Sequence, residues 1–349
     1  MTTRPVTVGL VGYGLAGRVF HAPLLGAEPR LRLAAIASRR PDEIKANLPG
    51  VTVHPTPEAL LEDAAIELVV IASPNETHAP LARAALLAGK HVVVDKPFTI
   101  TSAEATALAE LARRRGLVLS VFHNRRWDAD FRTARDCVES GLLGEVMTYE
   151  AHFDRFRPAI KPGWREQEVP GSGILYDLGA HLIDQALCLF GLPGAVTADL
   201  LAQRAEARAV DYFHVTLDYG RRRAILRSST LVREPGPRFA LHGEGGSFLK
   251  HGIDGQEEAL RAGRAPGTPG WGHEDPSAFG TLVTAAGERR TVPSLPGSYE
   301  AYYRGIAAAI LDDAPPPVTA EEAGRVIRII EAAMASAEGR RTVPLAPEA

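Results

Sequence analysis

Short, mostly apolar runs alternate with helical stretches over the first 122 residues. The runs lie at 6–11, 31–37, 68–72, 91–94 and 117–121, and the helical stretches at 57–63, 78–88 and 103–115. Nearly continuous apolar runs are typical of strands that are buried on both faces of a parallel sheet. Thr101 and Glu104 have the spacing of a capping box before the third helix. The pattern predicts one doubly wound α/β domain of the Rossmann type over residues 1–122.

After residue 122 the pattern changes to alternating apolar and polar positions joined by turns. Strands are predicted at 146–156, 210–219, 223–231, 238–242 and 247–251, and helices at 128–140, 175–190 and 298–312. A last helix follows a second capping box at Thr319 and Glu322. Residues 123–349 are therefore expected to form an α+β domain with a large, mostly antiparallel open sheet. Its uncovered face is a natural interface for a homodimer or homotetramer.

Composition narrows the class of protein. The 349 residues fit two domains, and 39 basic against 42 acidic side chains give a net charge of −3, which indicates neither a nucleic-acid nor a membrane partner. Cys137 and Cys188 cannot make a disulfide framework, and no apolar stretch reaches the length of a membrane span. The expected location is the cytoplasm, and the expected partner is a small molecule.

A GxGxxG motif, Gly12 to Gly17, follows the first predicted strand and opens a helix-compatible run. In that context the first glycine makes the tight turn, the second allows backbone to approach a pyrophosphate, and the third allows close helix packing. The motif predicts cofactor contacts at Gly12, Gly14, Leu15 and Ala16. The alternative is a glycine-rich turn without a ligand.

The end of the second strand bears on the choice of cofactor. NAD sites usually place a carboxylate there for the ribose 2′-hydroxyl, but this chain has Ser38, Arg39 and Arg40. A hydroxyl and two guanidiniums suit a 2′-phosphate, so the sequence predicts NADP rather than NAD. Alternatively, the arginines form a solvated loop and Asp42 turns back to the ribose.

Four further residues carry candidate chemistry. Lys96 precedes a proline at the end of the fourth predicted strand of the first domain, and Asp177, His181 and Asp184 share one face of a predicted helix. With a bound dinucleotide, these groups fit an alcohol–ketone dehydrogenase: a histidine accepts the hydroxyl proton, an ammonium stabilises the developing alkoxide, and a carboxylate orients the base.

Each of these groups also has an alternative interpretation. Lys96 is equally well interpreted as a surface ammonium at a turn. Asp177 and His181 are equally well interpreted as a local side-chain hydrogen bond on a helix. A metal site formed by Asp177, His181 and Asp184 is a further alternative, although one helix supplies only three ligands. The preferred interpretation involves no metal.

These motifs, in this order, resemble the Gfo/Idh/MocA oxidoreductases over nearly the whole chain. The matching stretches include Gly12–Gly17, 73–78, 88–97 and 177–181. Within the family, the stretches 122–128, 175–179, 210–214, 252–257 and 326–333 are most similar to the NADP-dependent scyllo-inositol dehydrogenases. The resemblance implies reversible oxidation of one ring hydroxyl of scyllo-inositol, or of a related cyclic polyol, to the keto-inositol.

The resemblance also implies roles for particular residues. Lys96, Asp177 and His181 match the catalytic set, with His181 as the acid/base. Ser73, Asn75, His78, Asp95, Lys96 and Asn124 are expected to line the cofactor. Asp95 stands where the family usually has Glu. The implied active site lies at the seam of the two domains.

Substrate contacts are expected from polar side chains on segments that face the cleft, namely His123, Arg125, Asp154, Arg155 and Trp164. Two other functions remain open. One is a sugar dehydrogenase or reductase that uses the same catalytic residues. The other is a non-catalytic NADPH-binding sensor whose second domain contacts a partner.

Overall fold

The structure, a computed structural model, describes residues 4–346. Contacts within the chain define two compact units. The first comprises the chain up to Asn124 together with Gln256–Trp271 and Ser298–Gly324, and the second comprises Arg125–Gly255, Gly272–Gly297 and the chain from Arg325 onward. The two later segments of the first unit were expected in the second domain. They return because their helices bury apolar surface on the first unit.

In the described part of the chain, the first unit contains a six-stranded parallel sheet in the order β3-β2-β1-β4-β5-β6. The strands are β1 Val6–Val11, β2 Leu31–Ala37, β3 Thr52–His54, β4 Leu68–Ile71, β5 His91–Asp95 and β6 Leu119–Phe122. The helices between them are α1 Ala22–Gly26, α2 Pro41–Asn47, α3 Pro57–Glu62, α4 His78–Leu87 and α5 Ser102–Arg115. The predicted Rossmann-type sheet is confirmed. Strand β3, which has only three residues, and helix α2 were not predicted from the sequence.

Both predicted capping boxes are present. Thr101 Oγ1 accepts the Glu104 N–H at 3.2 Å, and the Glu104 carboxylate accepts the Thr101 N–H at 3.0 Å. Thr319 and Glu322 make the same reciprocal pair at 3.1 and 2.9 Å. Each box satisfies two backbone donors that a helix start would otherwise leave free.

Across residues 4–346, the sheet of the second unit has nine strands, in the order β14-β13-β12-β11-β7-β10-β9-β8-β15. The strands are β7 Val146–His152, β8 Ala195–Leu201, β9 Tyr212–Tyr219, β10 Arg222–Ser229, β11 Phe239–Gly243, β12 Gly246–Lys250, β13 Gly280–Thr284, β14 Arg289–Val292 and β15 Val343–Pro344. Only the β7–β10 pair among these described strands is parallel. The expected mostly antiparallel sheet is confirmed, with four strands that the sequence missed.

The remaining helices are α6 Ala129–Glu139, α7 Ala180–Phe190, α8 Gln256–Arg261, α9 Glu300–Leu311 and α10 Ala320–Gly339. Helices α6 and α7 pack on one face of the nine-stranded sheet, where the ring of Tyr149 contacts Phe190 and Phe239. Among the described residues, no helix is long and apolar enough to cross a membrane.

His152 is a buried titratable group on β7. Burial, together with the positive charges of Arg227 and Arg238, lowers its pKa to about 4. The nearest carboxylate oxygen, on Glu150, is 3.6 Å from Nε2. The folded protein therefore keeps this imidazole neutral at pH values at which an unfolded histidine, with a pKa near 6.5, binds a proton.

We expect His152 to make the protein less stable as the pH falls. The unfolded state binds more protons between about pH 6.5 and 4, so the free energy of unfolding should drop by about 2 kcal/mol from pH 7 to pH 5 through this group. Urea unfolding of the wild type and His152→Gln at both pH values measures it. The variant should lose that part of the slope, whereas the exposed His251→Gln should keep it; equal slopes in all three proteins would contradict the assignment.

Candidate functional site

The glycine loop lies at the carboxyl end of β1 and has the geometry of a phosphate cradle. Gly12 has a φ of +96°, and a Cβ atom there would lie 2.7 Å from the Ala72 carbonyl oxygen. A Cβ on Gly17 would collide with the Gly12 carbonyl oxygen, whereas one on Gly14 would meet nothing within 4 Å. The first and third glycines are thus required by packing, and the second leaves space for a ligand.

The loop continues into a π turn, Ala16–His21, before α1. Leu15 is half exposed at its start. Arg18, in this turn, lies with its Nε 3.7 Å from the Glu43 carboxylate. Arg18 was not predicted as a site residue, although its position directly after the last glycine of the motif was a usable signal.

Ser38, Arg39 and Arg40 follow β2, as predicted. Both arginines are exposed, and Ser38 Oγ accepts the backbone N–H of Arg40 at 3.2 Å. The Arg40 guanidinium is 3.5 Å from Glu43, so Arg40 and Arg18 approach the same carboxylate. Two guanidiniums, those of Arg18 and Arg40, thus approach the Glu43 carboxylate just after the second strand. Asp42 is exposed in the first turn of α2.

His78 connects two of the predicted cofactor-lining segments. Its buried ring lies with Nδ1 2.8 Å from the Pro97 carbonyl oxygen and Nε2 3.0 Å from that of Ser73. Burial lowers the pKa of His78. Asn75, in the 3₁₀ turn before α4, is also buried. The imidazole therefore ties the segment after β4 to the segment after β5.

Asp95 ends β5 and Lys96 follows it. Asp95 Oδ1 accepts the Lys96 backbone N–H at 2.9 Å. Burial raises the pKa of Asp95, but His21, Lys96 and His78 outweigh this effect and hold the pKa below its usual range. The carboxylate is thus ionised at neutral pH. His123 and Asn124, both buried, follow the adjacent strand β6.

In the second unit, Asp177 and His181 lie at the start of α7, but not on the uninterrupted helix that the sequence predicted. Leu175–Gly179 is a π turn, in which the Ala180 N–H donates to the Leu175 carbonyl oxygen five residues earlier. Such wide turns occur frequently at functional sites. Asp177 is partly exposed in this turn, whereas His181 is 4% exposed.

The partner of Asp184 is Arg126. The Arg126 guanidinium binds its carboxylate through two nitrogens, with Nη2 to Oδ1 at 2.7 Å and Nε to Oδ2 at 2.9 Å. This bidentate pair fixes α7 close to His181. Among residues 4–346, no group of three or more His, Cys, Asp or Glu side chains is arranged to hold a metal ion. The structure thus gives no support to the alternative metal set.

Several predicted site residues lie around the ring of Phe153. His181 stacks on it with a centroid distance of 6.5 Å, and the guanidiniums of Arg125 and Arg155 lie 5.0 and 5.2 Å from its centre. Arg125 also pairs with Asp128 at 3.1 Å. Within this unit, two predicted substrate residues and the predicted acid/base therefore lie around the same aromatic ring.

Two further predicted substrate residues lie elsewhere in the same unit. Asp154 accepts the Ser229 N–H at 3.0 Å, which uses one of its oxygens. Trp164 packs under the guanidinium of Arg165, whose Nε is 3.7 Å from Asp177. Arg165 was missed because a single charged residue in a long loop has no distinguishing local pattern.

These features define a class of protein in which a parallel sheet with a glycine-rich phosphate cradle carries a lysine at a strand end, and a second α/β unit carries a buried histidine. Two family models match the chain: "Oxidoreductase family, NAD-binding Rossmann fold" at residues 6–123, and "Oxidoreductase family, C-terminal alpha/beta domain" at residues 135–345. The chain belongs to the Gfo/Idh/MocA oxidoreductase family, and its first sheet is that of an NAD(P)-binding Rossmann domain.

Comparison with individual proteins agrees with this family assignment. The chain is 48% identical to scyllo-inositol 2-dehydrogenase (NADP(+)) IolW of Bacillus subtilis, over 97% of this chain and 96% of that protein. It is 31% identical to D-glucoside 3-dehydrogenase of Escherichia coli, over 55% and 56%. The structure of YvaA from Bacillus subtilis superimposes with a TM-score of 0.96 at 46% identity, covering 99% of this chain and 100% of that one.

Proposed function

We propose that this protein is an NADP-dependent dehydrogenase that reversibly oxidises one ring hydroxyl of scyllo-inositol, or of a related cyclic polyol, to the keto-inositol. The observation that carries the proposal is the buried His181 with Asp177 in the turn before it, in a chain 48% identical to a named NADP-dependent scyllo-inositol dehydrogenase. A buried imidazole with a carboxylate in the preceding turn is suited to moving the hydroxyl proton.

The residues present fit NADP. The glycine loop offers open space above Gly14, and Ser38, Arg39 and Arg40 offer neutral and cationic donors for a 2′-phosphate. No carboxylate ends β2, the position at which NAD sites usually hold the ribose. NADP, when bound, supplies the acceptor for the hydride, at C4 of its nicotinamide.

The protein's own side chains do the proton chemistry. His181 accepts the proton of the substrate hydroxyl, and Asp177 orients the imidazole and stabilises its charge. The Lys96 ammonium stabilises the negative charge that develops on the oxygen. In the reverse direction, His181 returns the proton to the ketone oxygen.

A substrate panel tests the proposal. NADP and NAD reduction would be followed by absorbance with a set of inositols and a set of aldoses. The proposal expects the highest kcat/KM for an inositol with NADP. Absence of turnover of every inositol would remove the proposed substrate, and equal or better efficiency with NAD would remove the proposed cofactor.

Arg40→Ala tests the phosphate contact separately. A hydrogen bond to a charged group contributes about 1.5–3 kcal/mol, so the KM for NADP should rise by about 10-fold or more while the KM for NAD stays within about two-fold. Arg115→Ala, an exposed arginine at the end of α5, is the matched control and should change neither. Equal effects of Arg40→Ala on both cofactors would show that Arg40 does not read the phosphate.

A sugar dehydrogenase or reductase is the second candidate, favoured by the 31% identity to a D-glucoside 3-dehydrogenase. The aldose arm of the panel decides between the two. A non-catalytic NADPH sensor is a third; NADPH binding without turnover of any polyol or sugar would favour it.

We further propose a cytoplasmic homodimer or homotetramer assembled through the open face of the nine-stranded sheet, without nucleic-acid or membrane partners. On β10, Ala224 and Leu226 are buried on one face, whereas Arg223 and Ile225 on the other face are partly exposed and Arg227 is exposed. Sedimentation velocity of the wild type measures the assembly state, and a monomer at micromolar concentration would exclude such an assembly.

A further inference from the structure

Three polar side chains of the first unit follow one another next to the strand end that carries Lys96. They belong to Tyr303, His21 and Asp95. The hydroxyl of Tyr303, on α9, lies 2.6 Å from Nδ1 of His21, at the end of the π turn. His21 Nε2 lies 3.8 Å from Asp95 Oδ1, longer than a hydrogen bond but close enough for the edge of the ring to face the carboxylate. The same oxygen accepts the Lys96 backbone N–H. A continuous polar chain therefore runs from α9 to the lysine.

This chain is enclosed. The side chains of His21 and Tyr303 have no solvent exposure, and the ring of Phe122 packs on the imidazole at a centroid distance of 4.5 Å. Burial raises the pKa of Tyr303 well above its ordinary value, so the phenol keeps its proton. In close-packed surroundings a buried polar network of this kind has one arrangement rather than several.

The hydrogen positions follow from the partners. A neutral imidazole has one donor and one acceptor nitrogen. The ionised Asp95 carboxylate only accepts, so the tautomer of a neutral His21 that suits this neighbour carries its proton on Nε2. Nδ1 then accepts the proton of the Tyr303 hydroxyl. Each ring nitrogen of His21 thus faces a group of complementary character, the Tyr303 hydroxyl on one side and the Asp95 carboxylate on the other.

We propose that Tyr303 and His21 are positioning residues that hold the Asp95–Lys96 strand end in one geometry and thereby orient the Lys96 ammonium for the reaction. The role in catalysis rests on the proposed dehydrogenase function. The proposal also accounts for aspartate where glutamate is expected. The shorter side chain folds back onto the N–H that follows it, as Asp side chains do in turns, and His21 lies behind it.

The adjacent tyrosine provides a matched control. Tyr302 is equally buried, but its hydroxyl lies 2.9 Å from Ser120 Oγ. We expect Tyr303→Phe to lower kcat by about 5- to 20-fold, because small misplacements of a catalytic group can cost up to about 100-fold. The KM for the polyol and the Kd for NADPH should stay within about two-fold. Tyr302→Phe should lower the Tm by about as much as Tyr303→Phe does, but it should leave kcat unchanged.

A double-mutant cycle with Asp95→Asn tests whether the two residues act through one chain. If they do, Asp95→Asn combined with Tyr303→Phe should be little worse than Asp95→Asn alone. Full multiplication of the two separate losses in kcat would contradict the coupling.

Nuclear magnetic resonance provides a readout that requires neither substrate nor cofactor. In the wild type, the ¹⁵N signals of His21, assigned by their loss in His21→Gln, should show the proton on Nε2. Tyr303→Phe should shift these signals and the Lys96 backbone amide, and Tyr302→Phe should shift neither. The proposal is overturned if Tyr303→Phe matches Tyr302→Phe in both kcat and spectra. Absence of turnover in the wild type would instead overturn the proposed function, and the spectra would still decide whether Tyr303 fixes the strand end.

Discussion

Replacement of Lys96 by methionine is expected to lower kcat by about 10²- to 10³-fold, the usual loss when a group that stabilises a developing oxyanion is removed. Methionine keeps most of the length and apolar stem of lysine but has no charge. The backbone N–H at this position, which donates to Asp95, remains in the variant. The loss should therefore come from the ammonium and not from a disturbed strand end.

Steady-state kinetics of Lys96→Met with the best substrate of the panel measures this effect, and the Kd for NADPH is its control. A Kd within about three-fold of the wild type, with kcat strongly reduced, would separate chemistry from cofactor binding. Lys96→Arg should recover only part of kcat, because the guanidinium is wider and differently directed. Unchanged turnover in Lys96→Met would exclude the lysine from the chemistry.

The parallel sheet of the first unit was predicted well because the sequence signals for its strands are local. Continuous apolar runs such as 6–11 and 31–37 form buried parallel strands, and the bounds of β1 and β2 agree with the prediction at both ends. Capping boxes likewise depend on two residues three positions apart. Such patterns require no knowledge of what the element packs against.

Features that depend on tertiary packing were harder to predict from the sequence. The π turn before α7 was predicted as ordinary helix, because Leu175 and Gly179 have no local mark of a wider turn. The partnership of Arg126 with Asp184 joins residues 58 positions apart. His21 and Tyr303 are 282 positions apart, so only the folded chain shows that they meet.

In the candidate site, too, residues with a local sequence signal were predicted, whereas residues that depend on tertiary packing were not. The glycine loop and Lys96 were found from motifs, since each lies at a strand end where ligands of doubly wound sheets bind. Arg18, Glu43 and Arg165 were not, because single charged residues on loops and helix starts are common. What the structure adds is therefore mainly the neighbours that orient the residues found by motif.

His181→Asn is expected to lower kcat by about 10²- to 10⁴-fold, the range for loss of a general acid/base. Asparagine retains a polar side chain of similar reach but cannot accept a proton at neutral pH. Because His181 is 4% exposed and stacked on Phe153, bulk water cannot easily replace it. Asp177→Asn should cost less, since the imidazole remains but loses the carboxylate that orients it.

The pH profile distinguishes an acid/base role from a structural one. In the oxidation direction, wild-type kcat/KM should fall at low pH as the base becomes protonated, and His181→Asn should lose that limb of the profile. The exposed His251→Asn is the matched control and should keep both the rate and the limb. A His181→Asn variant that is slow but retains the low-pH limb would assign that titration to another group, because an asparagine cannot titrate in this range.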